Sequence, residues 1–263
     1  MIRLYHATTS VCAIKARLAL AEKNLAWESE LLDLRRGEQH RPEYLKLNPN
    51  AVVPTLLHDE RVVIESTLII EYLDEAFADR PLMPNAPYER ATARLWMRKI
   101  DDELHAACSA LTFAIAFRPV MLRMTSEQLE AHLQRVPNPA YRERQRLSIA
   151  HGLDAPHVAD AIRSHDKFIA EMEATLARGA YLAGDDYSLA DAAATPYVNR
   201  AAMLGMQDLW ANRPKVAGWF ERMQKRASFA PAVTGWLTDA DRERFAAPPD
   251  EARRKLRAIL NAP

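Results

Sequence analysis

The sequence NPNAVVPTLLHDERVVIESTLIIEYL, residues 48–73, carries the pattern from which the fold of the N-terminal part of the chain is predicted. Two short apolar runs, at 55–57 and 62–64, enclose a polar turn, and this pattern predicts an antiparallel hairpin. Apolar residues then recur with helical spacing over 68–76. The stretch therefore predicts two strands followed directly by a helix.

The residues before this stretch predict the other half of a sheet. Patterns typical of strand, helix, strand and helix occur in turn at residues 2–5, 10–23, 27–34 and 42–47. A β-α-β unit crosses over right-handed and gives parallel strands, whereas the hairpin adds antiparallel ones. We therefore expect an α/β N-terminal domain with a mixed four-stranded sheet.

Every element after residue 79 is predicted to be helical. Residues 80–87 contain three prolines and no periodicity, which is typical of a linker. Apolar residues at three- and four-residue spacing predict a long helix over 88–117 and a last helix over 251–260. We expect a first domain over 1–79, a linker over 80–87 and an all-α domain over 88–263.

The composition narrows the class of protein. Among 263 residues, 35 basic side chains balance 35 acidic ones, so no overall charge would attract nucleic acid or an anionic membrane. Two cysteines do not make a disulfide framework, and the histidines show no metal-ligand spacing. The longest weakly polar run, residues 106–117, is too short to span a bilayer. We expect a cytoplasmic protein with no metal, nucleic acid or membrane partner.

The hairpin carries two features that suit a small peptide ligand. Pro54 opens a strand, and a cis Val53-Pro54 bond there would leave the Val53 amide and carbonyl unpaired, as an extended peptide requires of its partner. Glu65 and Ser66 stand where the second strand passes into a helix, so a hydroxyl and free N–H groups can receive a carboxylate. The two features together suit a small peptide with a free carboxylate.

These motifs resemble those of a known family. V-P-T-L at 53–56, with E-S eleven residues after its proline and an apolar helix next, resembles the glutathione-binding domain of cytosolic glutathione transferases. The sequence YLAGDDYSLAD at 181–191 is similar to a second family pattern, in which Ser188 and Asp191 form a capping box. The resemblance implies a thioredoxin-like first domain, glutathione as cosubstrate, a small hydrophobic second substrate, a role in detoxification and a two-fold homodimer.

The first loop carries two candidates for the catalytic residue. Residues 7–12 precede a helix, so free N–H groups and the helix dipole would stabilise a thiolate there. Ser10 resembles the catalytic serine of serine-type transferases, whose hydroxyl donates a hydrogen bond to the glutathione sulfur. An ordinary role as helix N-cap also fits Ser10. Cys12 lies where bacterial cysteine-type members carry their nucleophile. We favour Ser10 and keep Cys12 as the alternative.

Gln39 and His40 match positions that contact the glycine end of glutathione in related enzymes, although both also fit solvated loop residues. A weaker resemblance is to the glutathione-dependent β-etherases. It rests on Pro137-Asn138-Pro139, on the basic segment that follows and on the sequence around residues 151–153.

The type of reaction stays open at this point. Conjugation, aryl-ether cleavage, dehalogenation, isomerisation and peroxide reduction all fit the motifs. A different class also remains, a transferase-like binding or regulatory protein that has lost its chemistry. Intact Ser10, Glu65 and Ser66 favour the enzyme.

Overall fold

A computed structural model describes residues 1–246 and 250–260. Its sheet has four strands: β1 (Ile2–His6), β2 (Glu28–Leu31), β3 (Thr55–His58) and β4 (Arg61–Ile64). The spatial order is β2-β1-β3-β4, with β1 parallel to β2 and both remaining pairs antiparallel. The predicted mixed four-stranded sheet is therefore confirmed.

The register brings four chain segments to one edge of this sheet. Tyr5 lies opposite Thr55, and Thr55 lies opposite Ile64. His6, the last residue of β1, lies opposite Leu31, the last residue of β2. The ends of β1, β2 and β4 and the start of β3 therefore share one edge, which we call the loop edge.

Three helices accompany the strands: α1 (Val11–Glu22), α2 (Pro42–Leu45) and α3 (Ser66–Ala76). Asn24, just after α1, has a φ of 54°, a left-handed conformation that asparagine tolerates, and so ends the helix as the sequence predicts. The second strand is shorter than the predicted 27–34, because the Asp33 carboxylate accepts the N–H of Arg35 at 3.0 Å and starts a turn.

The rest of the described chain contains helices and no further strand. A long helix, α4 (Pro87–Met121), contains two π-helical stretches, Ile100–Leu104 and Phe113–Phe117. The helices after it are α5 (Ser126–Gln134), α6 (Pro139–His151), α7 (Val158–Leu176), α8 (Leu189–Met203), α9 (Pro214–Lys225), α10 (Phe229–Ala232), α11 (Asp239–Arg244) and α12 (Asp250–Leu260). The predicted all-helical character of this part is confirmed.

Helix α4 is long and apolar enough to cross a membrane by length and composition. Half of its most apolar window is buried within the chain, and core helices of other proteins meet the same criteria of length and composition.

The chain forms two compact units by internal contacts. The first comprises Met1–Arg98, Arg178–Pro196 and Trp219–Asp239. The second comprises Lys99–Ala177, Tyr197–Gly218 and the described part of the C-terminal stretch. Each unit combines separate segments of the chain, so this division does not test a boundary along the sequence. The domain boundary expected at residues 80–87 stays a prediction.

A buried carboxylate organises the later part of the first unit. Asp191 is 0% exposed and accepts hydrogen bonds from the Trp219 indole at 2.8 Å and the Leu182 N–H at 3.1 Å. It also accepts the Ser188 N–H and hydroxyl, each at 3.0 Å, while the Ser188 hydroxyl accepts the Ala190 N–H at 3.3 Å. The Ser188–Asp191 pair thus begins α8 and also holds two residues outside that helix.

Candidate functional site

The loop before β3 presents an unpaired backbone at the loop edge. The Val53-Pro54 peptide bond is cis. Val53 is buried, and none of the other described residues hydrogen-bonds to its amide or carbonyl. An extended peptide lying along this loop would find one donor and one acceptor in place.

Two side chains that the sequence did not single out hold this loop. The Tyr44 hydroxyl donates to the Val52 carbonyl at 2.5 Å and contacts the Thr55 hydroxyl at 2.9 Å. The Asn48 amide donates to the same two oxygens, at 3.0 and 3.1 Å. The chain on both sides of the cis bond is therefore fixed by four hydrogen bonds. A tyrosine in a short helix before the loop is too common a pattern to have signalled this role.

Glu65 joins β4 to α3 in an uncommon conformation. Its φ of 68° and ψ of 114° are sparsely populated for a residue with a side chain, and such strain concentrates at functional sites. Ser66 follows as the first residue of α3 and is buried. Its hydroxyl makes no hydrogen bond to the rest of the described chain, so it and the first N–H groups of α3 can receive an anion.

Ser10 and Cys12 lie at the N-terminus of α1. Ser10 is its N-cap, and the hydroxyl oxygen accepts the Ala13 N–H at 3.2 Å. A serine hydroxyl has two lone pairs and one O–H, so the cap uses a lone pair and leaves the O–H for another acceptor. Cys12, one residue into the helix, is half-buried and forms no disulfide. The cap role and a catalytic role for Ser10 are therefore compatible.

Gln39 and His40 lie in a short 3₁₀ turn, Glu38–His40, and both are half-buried. The Gln39 amide nitrogen donates to the Leu34 carbonyl at 3.4 Å. Its carbonyl oxygen is buried and has no partner within residues 1–246 and 250–260. A buried acceptor without a donor is costly, and an amide N–H of a bound peptide would relieve that cost.

The loop edge brings these segments together. Ala7, Tyr44 and Val53 form one buried cluster, which joins the loop after β1, helix α2 and the cis loop. The Glu65 junction lies at the same edge, because Ile64 pairs with Thr55. The edge thus combines a backbone for an extended peptide, a socket for an anion and a hydroxyl at a helix N-terminus.

Two buried residues next to the first loop, a histidine and an arginine, were also not predicted from the sequence. Arg17 donates to the His6 Nδ1 at 2.9 Å. Because a guanidinium has no acceptor, this Nδ1 is unprotonated, and the proton on Nε2 is donated to the Ser29 hydroxyl at 2.8 Å. Burial lowers the pKa of His6 to about 3, and the charge of Arg17 contributes to the shift, so the ring is neutral at pH 7.

The neutral state of His6 predicts acid sensitivity. The pKa of His6 in the folded protein, about 3, lies below the unfolded value of 6.5, so the unfolded chain takes up the proton first as pH falls. Stability from this site is complete above pH 6.5 and falls by about 1.4 kcal/mol per pH unit below it. His6→Gln should flatten the pH dependence of the free energy of unfolding, measured with urea. An equally steep slope in His6→Gln would contradict this assignment.

Comparisons with known proteins identify relatives of this chain. The N-terminal domain model of the glutathione S-transferases matches residues 4–81, and the C-terminal domain model matches residues 111–227. The protein LigF of Sphingobium sp. is 29% identical over 249 residues, which cover 92% of this chain and 95% of LigF. The tetrachloro-p-hydroquinone reductive dehalogenase of Sphingobium chlorophenolicum is 30% identical over 237 residues, which cover 88% of this chain and 95% of that protein.

The crystal structure of the β-etherase LigF superposes with a TM-score of 0.80 at 28% identity, covering 88% of this chain and 98% of LigF. The chain therefore belongs to the glutathione S-transferase family, and the predicted resemblance is confirmed. It is a glutathione-dependent enzyme with glutathione as its cosubstrate.

Proposed function

We propose that this enzyme binds glutathione at the loop edge and activates its thiol with the Ser10 hydroxyl. The observation that carries the proposal is the unpaired backbone of Val53 at the cis bond, which offers the contacts that an extended peptide needs. Ser66 and the start of α3 bind the γ-glutamyl carboxylate, and Gln39 and His40 contact the glycine end. The Ser10 O–H and the N-terminus of α1 lower the pKa of the thiol.

We propose an aryl ether as the electrophile. LigF, described as a β-etherase, matches this chain over nearly the full length of both proteins, which supports ether cleavage as the first reaction to test. The thiolate sulfur would attack the carbon that bears the ether oxygen, a C–S bond would form as the C–O bond breaks, and the phenolate would leave. The dehalogenase relative supports an aryl halide as the second substrate class.

An assay on a substrate panel tests this proposal. We expect glutathione-dependent release of a phenol from β-aryl ethers by the purified protein. Retention on immobilised glutathione without turnover of any ether, halide or small electrophile would support a silent binding or regulatory protein instead. Reduction chemistry that depends on Cys12 would support a cysteine-type thiol transferase. For a turnover enzyme of this kind we propose a cytoplasmic location and a role in detoxification.

Ser66→Ala tests the anion socket. The hydroxyl would donate a charge-assisted hydrogen bond to the ligand carboxylate, so its loss should weaken glutathione binding by about 1–3 kcal/mol. Titration calorimetry measures this change. Thr67→Ala is the matched control and should leave the affinity for glutathione unchanged. The Thr67 hydroxyl accepts a hydrogen bond from Lys15 at 3.2 Å and is not assigned to the ligand. Unchanged affinity in Ser66→Ala would show that the carboxylate binds elsewhere.

We also propose a homodimer. Leu68 on α3 and Leu95 on α4 are 57% and 56% exposed. The ion pair between Glu71 and Arg94, at 3.4 Å, joins helices α3 and α4. Two large exposed apolar side chains on neighbouring helices offer a surface that a second copy of the chain could bury.

Light scattering tests the homodimer. The wild type should have a mass of twice the 29.8 kDa of one chain. Leu68→Lys places a charge in the proposed interface and removes apolar contact from both subunits, so it should weaken association by roughly 3 kcal/mol or more. Leu122→Lys, at a leucine that is 53% exposed elsewhere, is the control. A monomeric wild type would refute the proposal.

A further inference from the structure

Arg17 connects the first loop to a distant part of the chain. It lies on α1 and is 1% exposed. Its guanidinium donates to the carbonyls of Ala7 and Thr8, each at 3.0 Å, and to the carbonyl of Ala232 at 2.7 Å. Ala7 and Thr8 begin the loop that ends at Ser10. One side chain thus holds this loop and joins it to helix α10.

The positive charge of Arg17 has no carboxylate beside it among the residues that the structure describes. Burial lowers the pKa of Arg17 to about 9, so the guanidinium remains charged at neutral pH. From β1 it faces the neutral ring of His6. From the chain after α10 it faces the ring of Trp236, whose centre lies 5.4 Å from the guanidinium carbon. A buried, uncompensated cation favours any anion that approaches nearby.

The other charged groups of α1 are engaged elsewhere. Two of their partners are Asp74, on helix α3, which packs on α1, and Arg226, between α9 and α10. The pairs are Lys15 with Thr67 at 3.2 Å, Glu22 with Arg226 at 2.6 Å and Lys23 with Asp74 at 2.9 Å. None of these groups is hydrogen-bonded to the guanidinium of Arg17, so they leave its charge uncompensated.

We propose that Arg17 is a positioning residue for thiol activation. Its hydrogen bonds fix the loop from Ala7 to Ser10, and its buried charge favours a thiolate over a thiol at that loop. The inference rests on the proposed function of Ser10. It also makes helix α10 part of the support of the reactive loop, because the Ala232 carbonyl orients the guanidinium.

The pKa of the bound glutathione thiol tests this role. It is measured on the full-length protein saturated with glutathione, from the ultraviolet absorbance of the thiolate as a function of pH. Arg17→Met removes the charge and keeps the length of the side chain, so it should raise the thiol pKa by roughly one unit. Arg17→Lys keeps the charge and should restore most of the shift. Arg3→Met, at a half-buried arginine paired with Glu28 at 2.8 Å, should leave the thiol pKa unchanged.

A folded Arg17→Met whose bound thiol keeps the wild-type pKa would overturn the inference. If circular dichroism shows that Arg17→Met does not fold, the kcat/KM of Arg17→Lys tests the inference instead. It cannot reproduce the forked hydrogen bonds to Ala7 and Thr8, so kcat/KM should fall roughly 10-fold while the thiol pKa stays near the wild-type value. An unchanged kcat/KM would then overturn it.

These outcomes are distinct from failure of the proposed function. A wild-type protein that does not lower the thiol pKa would refute thiol activation altogether. A lowered pKa that Ser10→Ala raises and the Arg17 variants leave unchanged would refute only the role of Arg17.

Discussion

Asp191→Ala should destabilise the protein by about 3–5 kcal/mol. The substitution removes a buried carboxylate and leaves the Trp219 indole N–H and the N–H groups of Leu182 and Ser188 without acceptors. For a chain of this size, the midpoint of thermal unfolding should fall by ~10 °C. Circular dichroism during urea and thermal unfolding measures both quantities.

Asp186→Ala is the matched control for Asp191→Ala. Asp186 is exposed in the same segment, so its loss should change the free energy of unfolding by less than about 0.5 kcal/mol. Ser188→Ala removes one cap partner and should fall between the two, at about 1 kcal/mol. If Asp191→Ala unfolds like the control, the hydrogen bonds to this carboxylate do not hold the segment.

Ser10→Ala should lower kcat/KM at neutral pH by roughly 100-fold. The hydroxyl would donate to the glutathione sulfur, and removing one such donor from an anion typically costs this much. Because the loss acts through the pKa of the thiol, the rate should recover as the pH rises through that pKa. The pH dependence of kcat/KM with an aryl ether measures the effect.

Cys12→Ala distinguishes the two candidates in the first loop. A serine that only stabilises the thiolate leaves no role for a protein thiol, so Cys12→Ala should keep the wild-type profile. A nucleophilic cysteine would form a mixed disulfide with glutathione, and Cys12→Ala would then abolish activity at every pH. Loss of activity in Cys12→Ala together with an unmoved profile in Ser10→Ala would make this a cysteine-type enzyme.

Local patterns in the sequence were enough to predict the sheet and its helices. Each of these features forms between residues that are close in the sequence, so a local pattern or motif predicts it. Examples are the hairpin at 55–64, the β-α-β start and the capping pair at 188–191. The conformation of Glu65 could not be predicted in this way, because a positive φ is expected of glycine or asparagine rather than glutamate.

The support of the candidate site depends on contacts that local patterns do not contain. Arg17 and Ala232 are 215 residues apart in the sequence, and a basic residue in a helix is usually solvated. Tyr44 and Asn48 act on a loop whose shape is set by tertiary packing. The sequence therefore indicated residues of the candidate site, and the structure was needed to find what holds the loops.

The pKa of the glutathione thiol in complex with the wild-type protein tests thiol activation most directly. It is obtained from the ultraviolet absorbance of the thiolate, with Ser10→Ala measured in parallel. The thiol of free glutathione should titrate near the ordinary cysteine value of about 8.5. We predict a value at least one unit lower when glutathione is bound to the wild type, and a return toward the free value in Ser10→Ala. A bound thiol that titrates like free glutathione in the wild type would contradict activation of the thiol by this protein.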